Sequence, residues 1–132
     1  MTNEENTPPR HKPRITAAPK PRRVYWCDFP QDAHLPEFWK TRPVVILSPK
    51  AKLFGVVMVV PLSTKSQPDN PLAHEFESVL PGGGRSWAIC SHPTTIAVSR
   101  LSLVNGQAPA IPQDDFASIL QLVRSMIPAP KT

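Results

Sequence analysis

The sequence predicts a mainly β domain, an SH3-like barrel of five to six antiparallel strands with one helix at the carboxyl end. Three observations predict it. Within the stretch 41–64, two β-branched apolar runs flank a short Lys-rich break, as in a pair of neighbouring strands. The 132 residues include 18 prolines and only five glycines, a composition that favours strand breaks and turns over long helices. Only near the end does the apolar period change, with Phe116, Ile119, Leu120, Val123 and Ile127 at helical spacing.

Taken in order, residues 1–21 hold Pro8, Pro9, Pro13, Pro19 and Pro21 without apolar periodicity, and a disordered basic tail is expected there. The barrel domain is expected over 22–132. Its first strand is 22–29, where Val24, Tyr25, Trp26, Cys27 and Phe29 suit a sheet. Residues 30–40 form a polar loop with aromatic inserts, suited to the wall of a site. The two runs of 41–64 are nearly continuous rather than alternating, so both strands should be buried on both faces. A loop at 65–71 leads to a partly alternating strand, 72–80, whose charges meet water. Pro81-Gly82-Gly83-Gly84 turns the chain into 86–90, completing a hairpin. After Ser91-His92-Pro93 a further β-rich run spans 94–103. Pro112 suits a first helical turn, Asp114 and Asp115 its positive end and Arg124 the other end, and Pro128 stops it.

The net charge of +5 is uneven. Arg10, Lys12, Arg14, Lys20, Arg22 and Arg23 face only Glu4 and Glu5 in the first 23 residues, leaving one net positive charge for the rest. The basic character therefore belongs to the tail, which is either a solvated leader or an arm for nucleic-acid phosphates. Cys27 and Cys90 lie in apolar runs and read as buried, reduced thiols of a cytoplasmic protein. A zinc site needs more Cys and His at recognisable spacing, so neither metal nor cofactor is expected. No apolar run approaches the roughly 20 residues of a membrane span. No apolar segment precedes Val24, so no secretory signal is expected.

Polar chemistry gathers at the strand ends. Arg42 opens the second strand, and Ser63 and Thr64 follow the third. Antiparallel pairing returns all three to one edge of the sheet, where a guanidinium and two hydroxyls could form an anion site.

Several blocks, in order, resemble the MazF/PemK toxin family. They are Tyr25-Trp26-Cys27-Asp28-Phe29, then Arg42-Pro43-Val44-Val45-Ile46-Leu47-Ser48, then Val59-Val60-Pro61-Leu62-Ser63-Thr64. The run from Trp87 through Cys90-Ser91-His92-Pro93 to Ser99-Arg100-Leu101 is similar to the family's second block. The resemblance covers everything but the tail. It implies a homodimeric barrel that cleaves single-stranded RNA without a metal, as the toxin of a toxin–antitoxin pair. It also implies an antitoxin that blocks the groove and a complex that binds its own promoter DNA.

In that chemistry the RNA 2′-hydroxyl attacks the adjacent phosphorus. A base takes its proton, an acid serves the leaving 5′-oxygen, and a cation meets the developing charge. The resemblance assigns phosphate binding to Arg42, whose fixed fork of donors fits phosphate oxygens; the alternative is a merely solvated strand-end arginine. Ser63 and Thr64 either donate to the phosphate or cap a turn. Many members carry Arg-Cys-Asp where this chain has Ile89-Cys90-Ser91, so the usual acid is missing. His92, next in line, is nominated as proton carrier, with His34 its rival; His74 is expected to be solvated. Trp39 and Trp87 could stack RNA bases, though Trp87 on a strand also suits the core; Ser91 is grouped with them. Two further readings stay open. One is a non-catalytic barrel of the same fold, either a gyrase-poison-like toxin or a DNA-binding module. The other is a protein-interaction barrel whose basic tail does the nucleic-acid work.

Overall fold

The computed structural model describes residues 7–130 of the chain. The elements are β1 (Val24–Phe29), β2 (Lys40–Ile46), β3 (Val56–Ser63), β4 (Ala73–Glu77), β5 (Arg85–Ile89), β6 (Thr94–Ala97), β7 (Leu101–Ser102) and α1 (Gln113–Arg124). All strand pairs are antiparallel, in the order β4-β5-β3-β2-β1-β7, with β6 also on β3. Among the described residues there are seven strands rather than five or six because the expected run 94–103 is cut in two. β6 pairs with β3 and β7 pairs with β1, which lie at opposite sides of the β3-β2-β1 unit. A single 3-10 turn, Val98–Arg100, carries the chain between them and closes the sheet on itself.

The pleat sends alternate side chains of β1, β2 and β3 to two separate cores, so the apolar runs are buried on both faces except at the start of β3, where Val56 and Met58 are exposed. One core holds Val24, Val45, Val60 and Leu62 beneath the β4-β5 hairpin and Ile119 and Val123 of α1. The other holds Tyr25, Cys27, Val44, Ile46, Val57 and Val59 beneath Ile96, Val98 and Leu101. Burial pushes the thiols of Cys27 and Cys90 up to about 12 and about 11, so both stay protonated and apolar.

Helix α1 is shorter than its apolar stripe. Ile127 lies past its end and is 67% exposed, because the chain tightens after Arg124 through Met126 N–H to Val123 O and Ile127 N–H to Arg124 O. His74 is not solvated as expected. Its Nε2 lies 2.8 Å from Asp115 Oδ1, tying β4 to the first turn of α1, and its ring stacks on Phe76.

Residues 1–6 of the expected tail lie outside the described residues. The part that is described, 7–21, contains no strand or helix but is docked on the barrel. Ile15 is 4% exposed within the second core, and Arg14 pairs with Asp28 at 2.9 Å. The composition of the tail gives no sign of this anchor, since one isoleucine among prolines and charges carries no periodicity.

Candidate functional site

Two ladders and a bulge assemble the site. The β2-β3 register pairs Val44 with Pro61. That ladder ends there, and β3 then leaves β2 to pair Ser63 with Trp87 of β5, while Arg42 stays paired with Cys27 of β1. Residues directly opposite in a ladder share a face, so Ser63 and Trp87 project on the same side. Between the pairs Leu62↔Ala88 and Val59↔Thr94, β3 spends two residues while its partner spends five. The three extra residues must leave the ladder, and the corner they make carries Ser91, His92 and Pro93.

Opposite that corner lies the loop 30–40, anchored by Phe38, which packs on Phe29 and the second core. The His92 ring meets the Phe38 ring edge-on, with centroids 5.1 Å apart, and Arg42 Cζ lies 4.9 Å from the same ring centroid. Phe38 therefore holds both groups. Arg42 and His92 can be no further apart than those two distances laid end to end. Arg42 is steadied by a bond from Nε to Trp39 O at 3.3 Å, and His92 Nδ1 lies 2.9 Å from Ser91 Oγ. At the first residue of β2, Lys40 adopts a left-handed backbone (φ 60°), an uncommon conformation for a residue with a Cβ. It sits where the chain leaves Phe38 in the core and turns Trp39, 46% exposed, out to solvent under the Lys40 ammonium.

The other expected residues divide. Ser63 Oγ accepts the Lys65 N–H at 3.1 Å, which is a turn cap, yet its own O–H remains available to donate. Thr64 is exposed just beyond β3, and Trp87 is half-buried on β5. His34 is exposed on the loop, with its backbone N–H bonded to Glu37 Oε1, and does not join the cluster around Phe38.

A cavity of about 780 Å³ opens beside His92, between the corner and the loop. Asp32 and Glu37 bring carboxylates to it, Ser91 and Thr94 bring hydroxyls, and Arg100 brings a guanidinium. Arg42 is not among its lining residues, so the cation facing this cavity is Arg100, which the sequence reading assigned no role. Arg100 Nη1 donates to Asp28 O at 3.0 Å, and Asp28 is itself a hub. Its carboxylate accepts from Thr41 Oγ1 at 2.7 Å and pairs with Arg14. The Thr41 bond, with Arg14 and Arg100 behind it, holds that carboxyl below its ordinary range despite partial desolvation. Asp28 and Arg100 both lie within the quoted family blocks, but nothing in the blocks says that they meet. Among the described residues, no group of three His, Cys, Asp or Glu could hold a metal ion.

The family model of PemK-like, MazF-like toxins of type II toxin–antitoxin systems matches residues 20–127. No curated protein sequence matches. Among solved structures, the Deinococcus radiodurans MazF (Form-I) is 20% identical with a TM-score of 0.67, covering 85% of this chain and 98% of that one. A mycobacterial endoribonuclease in complex with its cognate antitoxin is also 20% identical, with a TM-score of 0.61, covering 86% and 100%. The Mycobacterium tuberculosis toxin MazF-mt6 is 18% identical with a TM-score of 0.58, covering 79% and 94%.

Proposed function

The chain belongs to the PemK-like, MazF-like family of toxins of type II toxin–antitoxin systems, and on that premise we propose that it is a metal-independent, sequence-specific endoribonuclease of single-stranded RNA. The observation that carries the reading is the Phe38 ring, with the Arg42 guanidinium at 4.9 Å and the His92 imidazole at 5.1 Å. A cation and a proton carrier distant in the chain thus share one support at one end of the barrel.

The RNA supplies its own nucleophile. The 2′-oxygen bonds to the adjacent phosphorus, the bond to the 5′-oxygen breaks, and the products are a 2′,3′-cyclic phosphate and a 5′-hydroxyl. One group removes the 2′-proton and another protonates the leaving oxygen. We assign one of these transfers to His92 and the other to a carboxylate of the same cavity, Asp32 or Glu37. These reach in from the loop and stand in for the acid that Ser91 replaces. Arg42 and Arg100, with Ser63 or Thr64 donating, offset the charge that grows on the phosphorane oxygens. Trp39 and Trp87 supply faces for neighbouring bases, and the loops 30–40 and 65–71 set the sequence preference.

Partners follow from the same reading. An antitoxin covers this end of the barrel, the chain pairs with a second copy, and the toxin–antitoxin complex binds promoter DNA. The work is done in the cytoplasm. Among the described residues no helix is long and apolar enough to cross a membrane.

Incubation with long single-stranded RNA in excess EDTA tests the reading. Discrete fragments ending in 2′,3′-cyclic phosphate are expected. Arg42→Ala should lower the rate by roughly 10²–10³, the range for losing one preorganised donor. His92→Ala should lower it by roughly 10²–10⁴. The non-catalytic alternative draws on Ile89 and Ser91, which replace the family's arginine and acid. RNA binding without cleavage would establish that alternative and overturn the nuclease.

A further inference from the structure

We propose that the arm 8–14, which precedes the family-matched segment, forms one wall of a second single-stranded RNA subsite that holds nucleotides flanking the cleaved bond. The proposal rests on the nuclease reading above.

An open groove of about 860 Å³ runs between this arm and the strand ends at 53–56 and 97–100. Its charged lining residues are Arg10, Lys12, Arg14 and Arg100 against Asp28 alone. The one carboxylate is already occupied, by Arg14 at 2.9 Å and by the Thr41 hydroxyl at 2.7 Å. Arg10 and Lys12 are exposed and have no ion-pair partner among the described residues. The groove therefore carries a positive surplus that nothing described offsets. Across from the arm stands Phe54, 69% exposed, a flat apolar face on the rim. Cations along a track with an aromatic face beside it are what single-stranded nucleic acid binds, phosphates to the first and a base to the second.

The arm is held in position. Ile15 is buried in the second core, and Arg14 pairs with Asp28 while its Nε donates to Ser99 O at 3.3 Å. A docked arm presents its cations without the ordering cost that a loose tail would incur on binding.

The groove also leads to the chemistry. Arg100 lines it, lines the His92 cavity and lines the smaller depression between them, and Ala97 is common to the groove and the His92 cavity. A strand whose scissile phosphate lies by His92 passes Arg100 and enters the arm groove. Duplex DNA would need a wider, symmetric track, and an acidic protein segment would have no use for the stacking face.

The test uses the full chain and a short single-stranded RNA with every 2′-hydroxyl methylated, which cannot be cleaved. Binding is followed by fluorescence anisotropy over a range of salt. Arg10→Ala/Lys12→Ala should weaken binding about tenfold at low salt. It should also flatten the plot of log affinity against log salt by about 1.4, at roughly 0.7 per lost phosphate contact. Arg10→Lys/Lys12→Arg should restore both. Phe54→Ala should weaken binding roughly fivefold or more with the slope unchanged. All three residues are exposed, so melting temperatures should match the wild type. On unmodified RNA the double variant should raise KM and leave kcat unchanged. If the wild type cleaves RNA but the double variant binds with wild-type affinity and slope, the groove proposal falls and the nuclease stands. If the double variant loses affinity for duplex DNA alone, the groove serves DNA and the proposal is wrong. If the wild type neither cleaves nor binds RNA, the nuclease reading itself has failed.

Discussion

The two faces of the β1-β2-β3 sheet are covered by different kinds of material. On one face, the β4-β5 hairpin and helix α1 lay down Phe76, Ala88, Ile119 and Val123, fixed by regular hydrogen bonding. The His74–Asp115 contact locks the helix to the hairpin. On the other face the cover is irregular: a short strand, a 3-10 turn, the loop 30–40 and the docked arm. Every group assigned to chemistry lies at the margin of that second face. Regular elements satisfy their backbone internally and leave few polar groups free, whereas loops and bulges can aim side chains at a cavity. One face thus holds the fold and the other borders the proposed site.

That division is open to experiment. Phe76→Ala, in the regular core, should cost about 3–5 kcal/mol of global stability, read from denaturant melts. A smaller loss there would mean that the helical face is not the main source of stability. Ile15→Ala, on the irregular face, should cost less, about 2 kcal/mol, the low end for a buried aliphatic because the arm can detach without opening the barrel. Limited proteolysis should then cut within residues 10–20 more readily while β3 stays resistant. A global loss as large as that of Phe76→Ala would erase the contrast.

The smallest effect concerns Asp28. Its carboxyl is held below its ordinary range in the fold, chiefly by the Thr41 hydroxyl and then by Arg14. The stabilisation from its charged form is therefore present above the unfolded value, about pH 4, and is lost as pH falls through the lowered folded value. The group is half exposed, so the effect is modest. Asp28→Asn should lower the melting temperature slightly at pH 7 and by less at pH 2. An equal loss at both would show that the carboxylate's charge is not what the arm grips.

Much of the fold was legible residue by residue. The continuous runs of 41–64 carried their own evidence of a sheet covered twice, and the stripe from Phe116 to Val123 announced the helix. The antiparallel pairing of β2 with β3 was legible too, though the ladder stops at Val44 and Pro61, short of Arg42 and Ser63. The cavity was not legible in this way. Phe38 was one aromatic in a polar loop, with nothing local to mark it as the support for both Arg42 and His92. The histidines were read by neighbourhood, and His74 was placed in water because its partner, Asp115, lies on another element.

The sequence by itself determined strand, turn and helix, because propensity and apolar period act over a few neighbouring residues. The tertiary structure alone decided that Ser91-His92-Pro93 bulges toward Phe38, that Arg100 and Asp28 meet, and that Ile15 pins the arm. Each of these depends on register and closure, which couple residues through space and leave no periodic trace along the chain.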